Sequence, residues 1–338
     1  PAVVQRLKLM SGLDIAERRL PQDGRFVARI RNHSIDMRIS TMPTQHGESA
    51  VLRLLPQQGG VLALEKLGMP RAVLARVRQA LSQAHGMLLV TGPTGSGKTT
   101  TLYAALAELN SPEIKIITVE DPVEYRLAGI NQVQVNEKIG LSFATVLRST
   151  LRQDPDVVLV GEMRDRDTAE TVLRAAMTGH MVLSTLHTND AVSTPLRLID
   201  MGAARYLVAT SLQLVMAQRL VRAVCPECCE PHSATAQEVA FLRAMMGQEA
   251  PIDALIKGAG CGNCNGSGYL GRLGVYELLD MNQEVVSAFN SQDQAAYLAA
   301  ARRAIGGHSL AHHACDLVLR GQTTAQEAMR VVGRTLET

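Results

Sequence analysis

The chain has 338 residues and a net charge of +2 at pH 7; 46% of its residues are hydrophobic and 3% are aromatic. This length suits two or three domains, and the near-neutral charge gives no support for a strong nucleic-acid binder. No segment approaches the roughly 20 apolar residues that span a bilayer, and the start lacks a signal-peptide pattern. We therefore expect a soluble, cytoplasmic protein. Because the first residue is Pro1 rather than Met, we also expect a fragment of a longer protein.

In chain order, the first 55 residues alternate apolar and polar side chains in FVARIRNHSIDMRIST and SAVLRLL. This alternation predicts strands with one solvated face. PQQGG at 56–60 is predicted to be a linker. From 61 to 222, the short apolar runs GMLLVTG, KIITVED, DVVLVGE and MVLSTLH alternate with helical stretches, a pattern typical of parallel strands covered on both faces. A Cys- and Gly-rich region follows at 223–272, and residues 273–338 are predicted to be mostly helical.

GPTGSGKT at 92–99 matches the GxxxxGK[ST] motif, follows the apolar run MLLVT and opens a helical stretch. Glycines let successive backbone N–H groups turn toward phosphate oxygens, and the helix amino end adds partial positive charge. We expect Lys98 to reach the β- and γ-phosphates and the Thr99 hydroxyl to ligate Mg²⁺. The predicted phosphate-binding residues are Gly92, Pro93, Thr94, Gly95, Ser96, Gly97, Lys98, Thr99 and Thr100.

Carboxylates follow two of the predicted parallel strands. Glu120, Asp121 and Glu124 follow KIITV, and Glu162 follows DVVLVG. Ligands of open parallel sheets bind beyond the strand carboxyl ends, so these groups can divide Mg²⁺ support and water activation between them. The alternative is that some are solvated loop acids or helix caps.

Two histidines flank the run MVLSTL, His180 before it and His187 after it. A polar group at the strand end beside a γ-phosphate can sense that phosphate. A structural role is the alternative for both.

Two CxxC pairs, Cys225 with Cys228 and Cys261 with Cys264, predict a closed, structural Zn²⁺ site with four thiolates. A redox role would need only one such pair. Glycines after the second pair can direct backbone N–H groups toward sulfur.

Together, GPTGSGKTTTLYAAL, ITVEDPVEYRLAGINQVQVN, LRQDPDVVLVGEMRD and TGHMVLSTLHTND resemble the secretion ATPase superfamily, which includes type II secretion and type IV pilus assembly ATPases. The Cys region resembles the lobe of the secretion and pilus-extension branch. HSIDMRISTMPTQHGES and LRLIDMGAARYLVA are most similar to mannose-sensitive-haemagglutinin (MSHA)-type pilus ATPases.

The resemblance implies a Walker A role for Lys98 and Thr99, and a catalytic role for Glu124 in the family's Asp box. Glu162 matches the Walker B glutamate. His180 and His187 match the His box.

Four arginines are further candidates. The resemblance implies that Arg38 and Arg53, in the second amino-terminal domain of the family, reach nucleotide phosphates. Arg148 and Arg152 are spaced one helical turn apart. They are candidates for the same site or a subunit boundary, with ordinary solvated helix charges as the alternative.

The implied fold is a RecA-like α/β P-loop core preceded by part of a PAS-like α+β domain and followed by a Cys₄ lobe and helices. The implied cofactors are ATP, Mg²⁺ and Zn²⁺. The implied assembly is a homohexamer that drives pilin or pseudopilin assembly through an inner-membrane platform protein. We expect no nucleic-acid partner, and peripheral membrane association through a region that precedes this chain. A nucleic-acid translocase and a nucleotide-gated scaffold with little turnover are the alternatives.

Overall fold

The structure, a computed structural model, describes residues 1–30, 33–56, 61–248, 252 and 254–336. Two compact units form: one contains Pro1–Val61 with Glu124–Arg126, and the other contains Leu62–Val123 with Leu127–Thr338. Residues 57–60 of the predicted linker lie outside the described residues. Within the described ranges, no helix has the length and apolar character needed to cross a membrane.

The first unit is a helix with a three-stranded antiparallel sheet, in which β2 lies between β1 and β3. Phe26, Met37 and Ile39 are buried on one face of this sheet. The opposite face carries an ion pair between Arg25 and Asp36. The strands predicted from the alternating pattern are thus confirmed. The elements are α1 (Ala2–Met10), β1 (Gln22–Ile30), β2 (His33–Thr44) and β3 (Gly47–Pro56).

The second unit contains a seven-stranded sheet flanked by helices. Its strands are β4 (Gly86–Thr91), β5 (Ile116–Glu120), β6 (Asn131–Gln134), β7 (Val157–Val160), β8 (Met181–Leu186), β9 (Leu212–Val224) and β12 (Tyr269–Asp280). The helix before the first of these strands is α2 (Arg71–Leu81), and the helices between them are α3 (Lys98–Leu109), α4 (Phe143–Thr150), α5 (Arg166–Met177), α6 (Thr194–Asp200) and α7 (Arg205–Ser211).

The sheet order is β12-β9-β4-β8-β7-β5-β6, and all neighbours are parallel except β12 with β9. Every residue of β4, β5, β7 and β8 is buried. Strands covered on both faces need continuous apolar sequence, so the predicted parallel α/β core is confirmed.

Three strands of this sheet were not predicted from the sequence. β6 has the polar sequence NQVQ at the sheet edge, so it lacks an apolar run. β9 runs past residue 222, and β12 begins before residue 273, so both strands cross boundaries predicted for the Cys region. They do so because their antiparallel pairing extends the core sheet toward the cysteines.

The remaining elements surround the cysteine segment and form the carboxyl-terminal helices. A small antiparallel sheet joins β10 (Cys229–His232) to β11 (Leu255–Gly258). The helices are α8 (Ala236–Met246), α9 (Gln283–Asn290), α10 (Gln294–Ile305), α11 (Leu310–Leu319) and α12 (Ala325–Leu336).

Glu327 anchors α12 to β9. It is 2% exposed, and its carboxylate accepts hydrogen bonds from the backbone N–H of Arg222 (2.8 Å) and the guanidinium of Arg330 (2.9 Å). We expect Glu327→Ala to lower the free energy of unfolding by about 2–3 kcal/mol, because both donors lose a charged acceptor. Urea denaturation measures this loss.

Glu284→Ala is the matched control, since Glu284 pairs with Arg303 at an exposed helix surface. We expect it to cost less than about 1 kcal/mol. Equal losses in the two variants would contradict the anchoring role of Glu327.

Candidate nucleotide-binding site and cysteine cluster

The phosphate loop joins the end of β4 to the start of α3. Gly92, Gly95 and Gly97 have φ angles of 148°, 80° and 89°, in the region that favours glycine. A Cβ on Gly92 would lie 2.4 Å from the carbonyl oxygen of Gln218, and a Cβ on Gly97 would lie 2.8 Å from Gln218 Nε2. Side chains are therefore excluded where the loop turns, and the backbone is left in the curved form that cradles phosphate groups.

Lys98 is the first residue of α3. Its ammonium donates hydrogen bonds to the carbonyl oxygens of Gly92 (2.6 Å) and Pro93 (3.2 Å). Burial lowers the pKa of Lys98 to about 8, the carboxylate of Glu162 acts in the opposite direction, and Arg219 lowers it further. The lysine is thus held over the phosphate loop, within the electrostatic reach of Glu162. The side chain of Thr99 is exposed on the first turn of the same helix.

Glu162 lies just beyond β7 and pairs with two cationic or ionisable groups. Its Oε2 is 3.3 Å from His187 Nε2, and its other oxygen forms an ion pair with Arg164. Arg164 also reaches Asp121, with Nη1 3.4 Å from Oδ2. The structure therefore brings the predicted residues Glu162, His187 and Asp121 together, with Arg164 as a member that sequence reasoning missed.

Gly161, which precedes Glu162, lies against the end of β5. Its N–H donates to the carbonyl oxygen of Val119 at 2.8 Å. A Cβ on Gly161 would lie 3.4 Å from the Cα of Glu120 and from the carbonyl oxygen of Val119, at the close end of ordinary van der Waals contact. The hydrogen bond thus ties the two strand ends together next to Glu162.

Glu120 is buried, unlike Glu162. Its carboxylate accepts hydrogen bonds from the hydroxyls of Tyr103 and Thr118, the latter at 2.5 Å, and from Gln132 Nε2 at 3.2 Å. Three donors from α3, β5 and β6 occupy its oxygens, which is the usual state of a buried structural carboxylate. The prediction that Glu120 contacts a cofactor remains untested, and these contacts favour a structural role.

His180 lies at the edge of the sheet opposite the phosphate loop. It precedes β8, where its Nδ1 is 3.1 Å from the carbonyl oxygen of Ala175 and its own carbonyl accepts from Gly86 N–H. Gly86 begins β4, whereas the phosphate loop follows the end of β4. Within one chain, the structure therefore does not bring His180 to His187 or to the phosphate loop.

Arg148 and Arg152 are exposed at the end of α4 and in the turn that follows it. Arg152 donates to the carbonyl oxygen of Arg148 at 2.8 Å and to Ser149 Oγ at 3.1 Å. These contacts are local to the helix end, so their predicted part in the site or at a subunit boundary remains a prediction.

Arg38, Arg53 and Glu124 belong to the first unit. Arg38 Nη1 lies 3.1 Å from Glu124 Oε2. Arg53 is the neighbour of Arg38 across β2 and β3, and its side chain is exposed. The structure thus pairs the predicted catalytic glutamate with one of the two arginines predicted to reach phosphate.

Two adjacent residues of β9 support the phosphate loop, and sequence reasoning missed both. Gln218 Oε1 accepts a hydrogen bond from the Thr101 hydroxyl of α3 at 2.8 Å. Arg219 is 5% exposed, and its Nη1 lies 3.0 Å from the position of a Cβ on Gly92. The available signal was the polar pair Gln218–Arg219 inside the apolar run LVMAQRLV.

The four predicted metal-binding cysteines form a cluster. The Sγ atoms of Cys225, Cys228, Cys261 and Cys264 all lie within 4.8 Å of one another. Sγ of Cys264 accepts hydrogen bonds from the N–H groups of Cys261 (3.1 Å) and Gly268 (3.2 Å). These bonds lower the pKa of the Cys264 thiol to about 6, although burial acts in the opposite direction. The bond from the Cys261 N–H has the largest effect. These four sulfur atoms fit a metal ion that is coordinated tetrahedrally by thiolates.

Comparisons with known proteins show which family the chain resembles. Residues 1–330 match the family described as Type II/IV secretion system protein. Type II secretion system protein E of Aeromonas hydrophila is 48% identical over 332 residues, which cover 97% of this chain and 65% of that protein. Type II secretion system ATPase E of Vibrio cholerae serotype O1 is 46% identical over 333 residues, with the same two coverages.

A solved structure of the pilus retraction motor PilT with bound ADP has a TM-score of 0.67 and 29% identity, covering 97% of this chain and 79% of that one. The chain spans 65% of the length of the two secretion relatives. Because the family match extends over nearly every residue and includes both the phosphate loop and the cysteine cluster, this chain belongs to the type II/IV secretion system protein family.

Proposed function

We propose that this chain binds ATP with Mg²⁺ and hydrolyses it to drive a secretion or pilus machine. The observation that carries this proposal is the convergence of a complete phosphate loop with Glu162 and His187 at the carboxyl ends of β4, β7 and β8. Ligands of parallel α/β sheets bind at this edge. The electrostatic influence of Glu162 on Lys98 supports a shared site.

Binding is assigned to the phosphate loop and α3. The loop N–H groups and the amino end of α3 stabilise the phosphates, and Lys98 leaves its loop carbonyls to pair with the β- and γ-phosphates. The Thr99 hydroxyl and Glu162 would hold Mg²⁺, either directly or through water. When bound, the metal would neutralise charge on the phosphoryl oxygens.

Hydrolysis is assigned to acidic and basic groups whose motifs resemble those of the secretion ATPase superfamily. Glu124 polarises the attacking water, and its ion pair with Arg38 supports this role by fixing the carboxylate beside a cation of the kind that stabilises phosphoryl charge. Glu162 and His187 orient the water and the γ-phosphate. Arg53, the cross-strand neighbour of Arg38, is a second candidate for contact with phosphate.

The machine driven by hydrolysis is proposed from the relatives. Two of them are named for the type II secretion system, and PilT is a pilus retraction motor. We assign this chain to a cytoplasmic homohexamer that acts at the inner membrane on a platform protein and drives assembly of pseudopilin or type IV pilin subunits. The similarity to MSHA-type pilus ATPases remains a prediction from the sequence.

Two other functions remain to be compared with this one. A nucleic-acid translocase is disfavoured by the net charge of +2 and the 3% aromatic content. A nucleotide-gated scaffold would bind ATP through the same loop and show little turnover. The rate measurement below separates the scaffold from the ATPase.

The cysteine cluster is assigned to a structural Zn²⁺. Four thiolates complete a tetrahedral coordination shell, so the ion stabilises the lobe and has no open position for catalysis. Loss of the metal would leave four partly buried thiols without their common partner.

Glu124→Gln tests the assignment of the base. We expect ATP binding to persist and turnover to fall about 10²- to 10³-fold, because the amide cannot accept the proton of the attacking water. Steady-state phosphate release from assembled protein, together with binding of a fluorescent ATP analogue, measures the two effects.

Glu113→Gln, at an exposed position before β5, is the control and should turn over like the wild type. Normal turnover in Glu124→Gln would remove Glu124 as the base. Nucleotide binding without measurable turnover in the wild type would favour the scaffold.

Metal analysis tests the cysteine assignment. We expect about one zinc ion per chain in protein never exposed to chelator, and loss of that zinc with a lower melting temperature in Cys228→Ser. Cys229→Ser is the control, because Cys229 is adjacent in sequence but outside the cluster. Zinc-free wild-type protein, or equal zinc loss in both variants, would contradict the assignment.

A further inference from the structure

We propose that Arg219 is a positioning residue that fixes the loop carrying His187 against the phosphate loop. The loop in question, residues 187–193, joins β8 to α6 and is called the His187 loop below. This inference rests on the proposed ATP hydrolysis and assigns to it a residue that lies outside the phosphate loop and the acidic strand ends.

The geometry of Arg219 is that of a bridge. Nη2 donates a hydrogen bond to the carbonyl oxygen of Asn189 at 2.7 Å, two residues after His187. Nη1 donates to the carbonyl oxygen of Gln218 at 3.1 Å and lies beside Gly92, the first residue of the phosphate loop. One planar guanidinium therefore holds the backbone of the His187 loop while it lies beside the first glycine of the phosphate loop.

The other supports of the His187 loop show how tightly its backbone is specified. Thr188 N–H donates to Thr91 Oγ1 at 2.9 Å, at the end of β4. Ala191 N–H donates to the buried Glu277 at 2.8 Å, and the carbonyl oxygen of Val192 accepts from the Tyr297 hydroxyl at 2.7 Å. Arg219 holds the carbonyl oxygen of Asn189, which lies in sequence between Thr188 and Ala191. Its charged guanidinium also lies beside the phosphate loop.

The sheet register explains why a strand residue reaches both loops. Thr91, the last residue of β4, pairs with Ala217 of β9. Arg219, two residues further along β9, therefore lies level with the phosphate loop that follows Thr91. Glu277 of β12 pairs with Ala217 of β9. Because side chains alternate along a strand, Ala217 and Arg219 lie on the same face of β9. Arg219 and the Glu277 support therefore approach the His187 loop from the same side of the sheet.

An arginine suits this bridge better than a lysine. Its guanidinium presents several N–H donors in a rigid plane, whereas an ammonium is a point charge on a flexible stem. Two separated carbonyl oxygens and the edge of a glycine loop match the planar group. The guanidinium thereby keeps the backbone of the His187 loop close to the phosphate loop, and His187 itself is paired with Glu162.

Three variants test the proposal in the assembled protein: Arg219→Gln, Arg219→Lys and the control Arg320→Gln, which removes an exposed arginine from the end of α11. We expect both Arg219 variants to lower kcat about 10- to 100-fold, with KM for Mg·ATP changed less than about threefold, since a misplaced loop costs rate more than binding. Arg320→Gln should keep the wild-type kcat. Full recovery in Arg219→Lys would show that charge alone is needed and would overturn the bridge.

A double-mutant cycle with His187→Ala separates positioning from simple stabilisation. If Arg219 acts through the His187 loop, Arg219→Gln should slow the His187→Ala protein by less than about twofold, because the group that it positions is already absent. Multiplying effects would overturn the proposal, as would a wild-type kcat in His187→Ala combined with a low kcat in Arg219→Gln.

Hydrogen exchange provides a readout that needs no hydrolysis. We expect the amides of residues 188–191 to exchange at least about tenfold faster in Arg219→Gln, while those of β7 and β8 keep their rates. Unchanged exchange in this loop would overturn the inference even if the melting temperature fell. An inactive wild type would defeat the ATPase proposal alone, and the exchange result would still decide whether Arg219 holds the loop.

Discussion

The carboxyl ends of β4, β7 and β8 meet at one edge of a parallel sheet, and the proposed nucleotide site of the second unit depends on that convergence. Because parallel strands run in one direction, segments far apart in sequence deliver their next residues to the same place. The phosphate loop, Glu162 and His187 each follow one of these strands. Their buried, apolar neighbours fix the strands and so fix the polar groups at their ends.

The carboxylates near this edge differ in burial and in their hydrogen-bond partners. Glu120 and Glu277 are buried, and their oxygens are occupied by donors of the fold, such as Tyr103 and the N–H of Ala191. Glu162 is partly exposed and pairs with side chains whose hydrogen bonds can be exchanged. A carboxylate that binds a metal ion or water needs accessible lone pairs on its oxygens. A buried carboxylate that supports a loop needs hydrogen-bond donors of the protein at those lone pairs.

Local patterns were sufficient to predict the features whose chemistry is encoded in consecutive residues. GxxxxGK[ST], the CxxC pairs and four of the parallel strands were predicted because their spacing alone imposes the structure. Glu120 could not be distinguished from Glu162 in the sequence, because its donors come from α3 and β6 and appear only on folding. Arg219 was hidden for a similar reason: an arginine in an apolar strand has meaning only when the loops on either side are known.

His180 and His187 show the same limit for strand ends. One histidine lies at each end of β8. The hydrophobic pattern does not tell which end of β8 lies next to the phosphate loop until the parallel pairing of β8 with β4 is known. The register with Gly86 puts His180 beside the start of β4, away from the phosphate loop. Likewise, β12 was missed because it begins inside the segment predicted to belong to the cysteine region, and only its antiparallel pairing with β9 shows that it belongs to the core sheet.

β9 is a single extended segment that begins in the core, passes the phosphate loop at Gln218 and ends at Val224, next to Cys225. At roughly 3.3 Å per residue, the six steps from Arg219 to Cys225 span about 20 Å. Beyond Ala217 the strand leaves its pairing with β4 and continues beside β12 alone. One strand of continuous backbone therefore leads from the residue beside the phosphate loop to the first cysteine of the cluster, so the two predicted binding sites are covalently connected by a short extended segment.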